Sequence, residues 1–307
     1  MRNRKINWLN VIVGIIIILY VIFSSDFKND VKKASASVTN TIKTTTKAEV
    51  KKVDGNLKVS FIDVGQADSI LIENNNHNML IDAGNNADGK KLVNYFKENN
   101  IESFDYVVAT HPHEDHIGGI DDIINNFDVS TFYMPEVLTT TKTFEDVLDA
   151  LDNKNMKYDV PKIDDTFNLG DANIKVIYVG NSSSDLNDSS IVLKLTYGNN
   201  SFLFTGDATS NVEKQILNKE LKSDVLKVGH HGSSYSSTNE FLDKVSPKYA
   251  VISCGLNNIY HHPTSSTLNK LSNKKIKLYR TDEVGTIIMT SDGNDITVDT
   301  KKTDTNG

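Results

Sequence analysis

Cysteine is nearly absent. The single Cys254 allows no internal disulfide framework and no metal site built on several thiolates. No internal repeat of about 20–50 residues is obvious in the chain. Positive charge is scarce over most of the sequence. Residues 1–56 hold ten of the 33 Lys/Arg and four of the 40 Asp/Glu, which leaves 23 basic and 36 acidic residues for 57–307, a net of −13. A domain so charged does not attract polyanions by its overall field, and a nucleic-acid substrate would need local help from metal ions and a few lysines. What remains is ordinary for a packed domain: 38% hydrophobic and 8% aromatic residues, in a chain long enough for one large or two small domains.

The front end is a separate matter. Residues 1–5 are short and basic, with Arg2, Arg4 and Lys5, and are expected to stay in the cytoplasm. Ile6–Phe23 is an apolar run that, at about 1.5 Å per residue, nearly spans a hydrocarbon core of about 30 Å. Trp8 and Tyr20 suit its two interfaces, and the basic residues ahead of it favour an outward-facing remainder. The sequence therefore predicts a transmembrane signal anchor over 6–23. The alternative is a cleaved signal peptide, for which the nearest small-x-small site is Ala34-Ser35-Ala36. Residues 24–56, rich in Lys, Thr, Ser, Ala and Asn, carry no apolar period and read as a flexible linker. One folded domain is expected over 57–300 and a disordered tail over 301–307. The expected location is the cell membrane, single-pass, with the domain outside, or secreted if the segment is cleaved.

From Leu57 onward, short apolar runs alternate with helical patterns. Strands are expected at 57–63, 68–73, 78–82, 104–109, 129–133, 172–179, 190–197, 201–205, 224–229, 248–254, 276–280 and 285–290. Helices are expected at 89–98, 117–126, 143–153, 208–218, 238–245 and 264–272. Consecutive strands early and helix-separated strands later predict two packed sheets covered by helices.

The chemistry is concentrated in Thr110-His111-Pro-His113-Glu-Asp115-His116-Ile-Gly118-Gly119, directly after the apolar strand Tyr106-Val-Val-Ala109. Three histidines and two acids within six positions are costly in a core and out of place on a solvated face. Imidazole and carboxylate are the usual ligands of borderline divalent metals. On an extended strand end His111 and His113 point the same way. Asp115 and His116, after the turn, can reach a second ion, and the two glycines permit a tight turn and close backbone approach. Pro263 begins a helix well, so His261 and His262 are either cap and surface residues or, for His262, part of the site. Ser233, Ser234, Ser236 and Ser237 line a phosphate pocket or sit on a solvated loop.

His-x-His-x-Asp-His resembles the signature of the metallo-β-lactamase superfamily. Asp82 in Leu80-Ile-Asp82-Ala-Gly84 looks like its bracing aspartate, Asp207 in Phe204-Thr-Gly-Asp207 like its bridging carboxylate, and His230 in Gly229-His230-His231-Gly232 like its last histidine. Phe61-Ile-Asp-Val-Gly-Gln-Ala-Asp68-Ser69, Asn187-Asp-Ser-Ser190, Gly229-His-His-Gly-Ser233, His262-Pro263 and Tyr279-Arg-Thr-Asp282 are more specific still. They resemble the metallo-hydrolase domain of the ComEC/Rec2 competence proteins, from about Leu57 to about Val298. The resemblance implies an α/β fold, a four-layer αββα sandwich, and two divalent ions, zinc by donor type with manganese as the alternative. It implies a first ion held by His111, His113 and Asp207, and a second held by Asp115, His116, Asp207 and His230. The histidine pair leaves the last assignment open by one position. Many superfamily members carry a further histidine between the His-rich loop and the bridging aspartate. This chain has none between His116 and His230. Asn187 and Asp188 stand in that stretch, so one position on the first ion is open or filled by Asp188 or water. Asp115, His231 and His262 are the expected catalytic residues, the two histidines as proton donors to the leaving group.

The function implied is a membrane-tethered, metal-dependent phosphodiesterase or nuclease acting outside the cell on DNA or a wall polymer. No obligate protein partner is evident. A teichoic acid or phosphorylcholine-type esterase is the first alternative, and a non-catalytic metal-binding surface module the second. With a single apolar span, the chain cannot itself be a DNA-uptake channel.

Overall fold

The computed structural model describes residues 29, 32, 55–181 and 184–302. The expected anchor at 6–23, nearly all of the linker at 24–56 and most of the tail at 301–307 lie outside these residues. Among the described residues, no helix is long and apolar enough to cross a membrane.

Two mixed sheets are stacked face to face. The first contains β1 (Leu57–Phe61), β2 (Ser69–Asn74), β3 (His77–Ala83), β4 (Ser103–Val108), β5 (Asp128–Tyr133), β6 (Tyr158–Asp159), β14 (Thr286–Ser291) and β15 (Ile296–Lys301), in the order β15-β14-β1-β2-β3-β4-β5-β6. The second contains β7 (Thr166–Leu169), β8 (Ala172–Tyr178), β9 (Val192–Tyr197), β10 (Asn200–Phe204), β11 (Val225–Lys227), β12 (Tyr249–Ile252) and β13 (Lys277–Arg280), in the order β13-β12-β11-β10-β9-β8-β7. Each sheet changes character along its width. β1 to β3 and β7 to β10 pair antiparallel, whereas β3 to β6 and β10 to β13 pair parallel. The parallel halves need crossovers, and helices supply them.

Strand alternation sorts the side chains. Leu57, Val59 and Phe61 of β1 face the second sheet, meeting Phe202, Phe204 and Tyr197 in a dry inter-sheet core. The opposite face of the first sheet is covered by α1 (Gly89–Glu98), α3 (Ile120–Asn126) and α4 (Lys142–Asn153), through Leu92, Phe96, Ile120, Ile124, Phe144 and Val147. Phe96, Phe104 and Phe127 meet edge to face there at 5.3–6.1 Å, worth about 0.5–1.5 kcal/mol per pair beyond area burial. The second sheet's outer face is covered by α5 (Ser210–Ile216), α6 (Asn239–Val245) and α7 (Ser265–Asn273), through Val212, Ile216, Phe241, Leu242 and Leu271. The four layers are those expected from the sequence.

Differences from the sequence reading are local. The helix expected from Ile117 is two: α2 (Glu114–Ile117) begins three residues earlier, and α3 follows a break. Gly118 is right-handed helical and makes no left-handed turn. It serves close approach only, since a Cβ there would lie 2.2 Å from the backbone of Asn85 and Asn86. The strands β6, β7 and β15 and the short helix α8 (Thr281–Val284) were not expected. The first three are edge or near-edge strands, short or largely exposed, and lack the apolar run that marks a buried strand.

Candidate metal centre

The site lies where strand carboxyl ends of both sheets meet. β4 ends at Val108 and delivers His111 and His113, with Asp115 and His116 in the first turn of α2. From the other sheet, the parallel register Phe204↔Lys227 sets the ends of β10 and β11 level. Asp207 therefore follows its strand end by the same three residues as His230, and His231 comes next.

Asp115, His116, Asp207 and His231 each offer a ligand atom, all within 4.8 Å of one another. His116 Nε2 is 3.2 Å from Asp207 Oδ1. His231 Nε2 is 3.2 Å from Asp115 Oδ2 and 3.5 Å from Asp207 Oδ2. His111 Nε2 and His113 Nδ1 converge at 2.9 Å beside this group, and the His111 and His116 ring centres lie 4.1 Å apart. Of the neighbouring histidines, His231 enters the four-donor cluster. His230 stands at its rim, Nε2 3.7 Å from Asp207 Oδ2. The resemblance left the pair open by one position, and the geometry brings His231 nearer the other donors. Both residues are in the left-handed region, φ 51°, and that turn, which no spacing rule reveals, decides which imidazole swings inward.

The outer contacts fix the tautomers. His116 Nδ1 lies 2.7 Å from Asp82 Oδ2, and Asp82 also accepts from the Thr110 N–H and hydroxyl, both at 2.8 Å. His231 Nδ1 lies 3.0 Å from the Ser253 carbonyl, which can only accept. Each ring therefore directs Nδ1–H outward and turns Nε2 inward, where it holds either a second proton or a metal ion, as carboxylate and carbonyl partners of ligating histidines do. His116 Nε2, His231 Nε2 and Asp207 Oδ1 are buried with no hydrogen-bond partner. Lone pairs facing carboxylates across 3.2–3.5 Å demand positive charge between them, so the residues fit a divalent ion.

The titration behaviour states the same demand. Burial opposes charge on His116, but Asp207, Asp82 and Asp115 hold it well above the usual imidazole range. Burial likewise opposes charge on Asp207, which His231 and His116 hold well below the usual carboxylate range. Burial and the neighbouring His116 push His111 well down.

Over the centre opens a cleft of about 440 Å³, lined by Gln66, Asn85, His113, Glu114, Asp115, Asp207, His230, His231, Tyr260 and His262. The His262 ring lies 5.5 Å from His230 and 5.9 Å from Tyr260. Burial and the adjacent His230 lower it to about 4. At neutral pH it is an uncharged imidazole in the cleft wall, and His231 stands in the donor cluster. A base held below its unfolded value of about 6.5 contributes stability that is complete above that value. The contribution is lost as pH falls from about 6.5 through about 4. His262→Gln should therefore flatten the acid arm of the Tm–pH profile by about 1 kcal/mol after allowance for solvent screening. An arm as steep as that of the wild type would assign the lost stability to other groups.

Asp188 does not join the donor cluster. Its carboxylate accepts from the Thr209 hydroxyl and the Asn211 side-chain amide at the start of α5. Asn187 Oδ1 is buried without a partner. Ser190 Oγ accepts the Asp207 N–H at 3.1 Å and so fixes the loop carrying the shared carboxylate. Ser233, Ser236 and Ser237 are buried and line neither a phosphate pocket nor a solvated loop. Ser236 Oγ donates to the Ala208 carbonyl, and Glu213 accepts the N–H groups of Ser237 and Thr238. The sequence reading also missed Lys227. Fully buried, it pairs with Asp68 at 2.6 Å directly behind His231.

The sequence model described as Metallo-beta-lactamase superfamily matches residues 62–256. The chain is 32% identical over 251 residues to ComE operon protein 3 of Bacillus subtilis (strain 168), covering 75% of this chain and 32% of that one. It is 31% identical over 235 residues to Competence protein ComA of Neisseria gonorrhoeae, covering 75% and 31%. The chain thus spans about a third of the length of these curated relatives. Among solved structures it resembles the metallo-beta-lactamase fold protein YhfI of Bacillus subtilis, with a TM-score of 0.52 at 13% identity, covering 74% of this chain and 96% of that one.

Proposed function

The chain belongs to the metallo-β-lactamase superfamily, and from that premise and its donor cluster we propose a two-metal phosphodiesterase tethered outside the cell by its N-terminal segment. One observation carries the reading. Buried lone pairs of His116, His231 and Asp207 converge beneath a cleft that admits a substrate. Asp115, His116, Asp207 and His231 would hold one ion. His111, His113 and Asp207 would hold the other, with His230 at its rim. Bound there, divalent ions supply Lewis acidity that activates water and offsets charge on phosphoryl oxygens. The residues themselves orient and exclude: Asp82 and Ser253 aim the ligating rings, and the uncharged His262 and Tyr260 wall one side of the cleft. Zinc suits the imidazole and carboxylate donors, with manganese the alternative.

The basic residues before the apolar run 6–23 support the tether and its orientation. The net of −13 beyond residue 56 favours a small or wall-borne phosphodiester over a long polyanion.

The test uses the full chain in detergent. Metal analysis should find near two ions per chain, and bis-p-nitrophenyl phosphate should turn over. A chelator should abolish turnover, and added zinc or manganese should restore it. Single-stranded DNA assayed in parallel decides between a nuclease and a small-diester esterase. Metal without turnover of any phosphodiester would favour the non-catalytic module, and a chain that takes up no metal would end the proposal. Protease accessibility of the domain on intact cells tests the tether.

A further inference from the structure

We propose that Gln66 is a substrate-binding residue, its side-chain amide donating to a phosphoryl oxygen above the metal centre; this rests on the phosphodiesterase reading. Gln66 lines the cleft together with Asp115, Asp207 and His231. Its Oε1 accepts the Gly255 N–H at 3.1 Å. That bond settles which end of the carboxamide is which, because a backbone N–H needs an acceptor. The NH₂ end is then left to the cleft, and among the described residues it has no acceptor. It is a neutral donor with fixed orientation, and an anion in the cleft supplies the acceptor it lacks.

The loop beneath is built for rigidity. The Gly65 N–H donates to Asp63 Oδ1 at 3.2 Å, and the Ala67 N–H to the Gly65 carbonyl at 3.0 Å. The Asp68 N–H donates to the carbonyl of Asp115 at 3.0 Å, tying the Gln66 loop to the metal-binding turn. The Asp68 carbonyl accepts the Gly84 N–H at 2.8 Å, and its side chain holds buried Lys227. Gly255 is pressed against Gln66 so closely that a Cβ would fall 2.7 Å from the Gln66 nitrogen. A donor held this firmly beside the centre loses little freedom when the substrate arrives, the condition under which a single neutral donor contributes most. Net negative charge gives the domain no general attraction for phosphate, so a fixed neutral donor is an economical way to position one.

Two substitutions separate this role from a structural one. Gln66→Glu keeps an oxygen for the Gly255 N–H but replaces the donor by a negative acceptor. Gln66→Ala removes both. For the metal-loaded full chain we expect both variants to keep the wild-type metal content. Each should lose about 10–100-fold in kcat/KM for bis-p-nitrophenyl phosphate, and Gln66→Glu should be at least as slow as Gln66→Ala. Affinity for inorganic phosphate, followed by calorimetry, should weaken about tenfold or more in both. Wild-type turnover or phosphate affinity in Gln66→Glu would overturn the proposal, as would loss of metal in both variants or a wild type that binds no phosphate. If the wild type hydrolyses no phosphodiester, the hydrolase reading fails by itself. The phosphate affinities then decide alone: weaker in the variants supports the donor, equal in all three overturns it.

Discussion

Asp207→Ala should abolish turnover, by about a thousandfold or more, and leave less than one ion per chain. Asp207 is the residue on which the donor set converges: one carboxylate oxygen lies 3.2 Å from His116, and the other 3.5 Å and 3.7 Å from His231 and His230. Removing one preorganised charged group at the reacting centre costs about 10²–10³ by itself, and here the same change withdraws a ligand from both ions. The checks are metal content, turnover and the far-ultraviolet spectrum of the variant. Two ions retained with wild-type turnover would remove Asp207 from the centre.

The second large effect is on stability. Lys227→Met should lower it by about 3–5 kcal/mol, the usual cost of stripping one partner from a buried pair, or about 6–20 °C in Tm for a domain of this size. Lys227 and Asp68 are 0% and 1% exposed and 2.6 Å apart, so the carboxylate left behind has no solvent to turn to. The Lys227→Met, Asp68→Leu double variant should recover much of the loss, because two apolar groups of similar volume replace two charges. Metal affinity should fall in the single variant as well, since Asp68 Oδ1 stands 3.6 Å from His231 Nδ1. Additive losses in the double variant, measured by thermal or denaturant unfolding, would show that the two residues do not act as a pair.

The two residues in this pair are also a lesson in what sequence conveys. The His-rich loop was legible because its ligands lie within six positions of one strand end, so local geometry alone brings them together. The buried strands of both sheets and the covering helices were legible from their apolar periods, whereas the edge strands β6, β7 and β15 were not. Lys227 was not, because a lysine ending a short strand of valine and leucine reads as a surface residue until Asp68, far away in the chain, is placed against it. The order of His230 and His231 was hidden for another reason. Adjacent residues are interchangeable in a motif, and only the left-handed turn they share determines which one faces inward. The place of Asp188 was left open by the sequence because its partners, Thr209 and Asn211, belong to a helix start that the sequence placed two residues early. The N-terminal cap of α5 takes the carboxylate instead.

The donors are drawn from both sheets: His111, His113, Asp115 and His116 follow a strand of the first, Asp207 and His231 follow strands of the second. Neither half of the sandwich owns a site. Metal retention therefore reports on docking of the halves, and ions bound there would act as a clasp across the seam. Because they would bind the docked state and not the separated one, they would stabilise it by an amount that grows with free metal concentration over Kd. An unfolded chain would be chemically silent, acquiring its activity only at the moment the two halves close and capture metal.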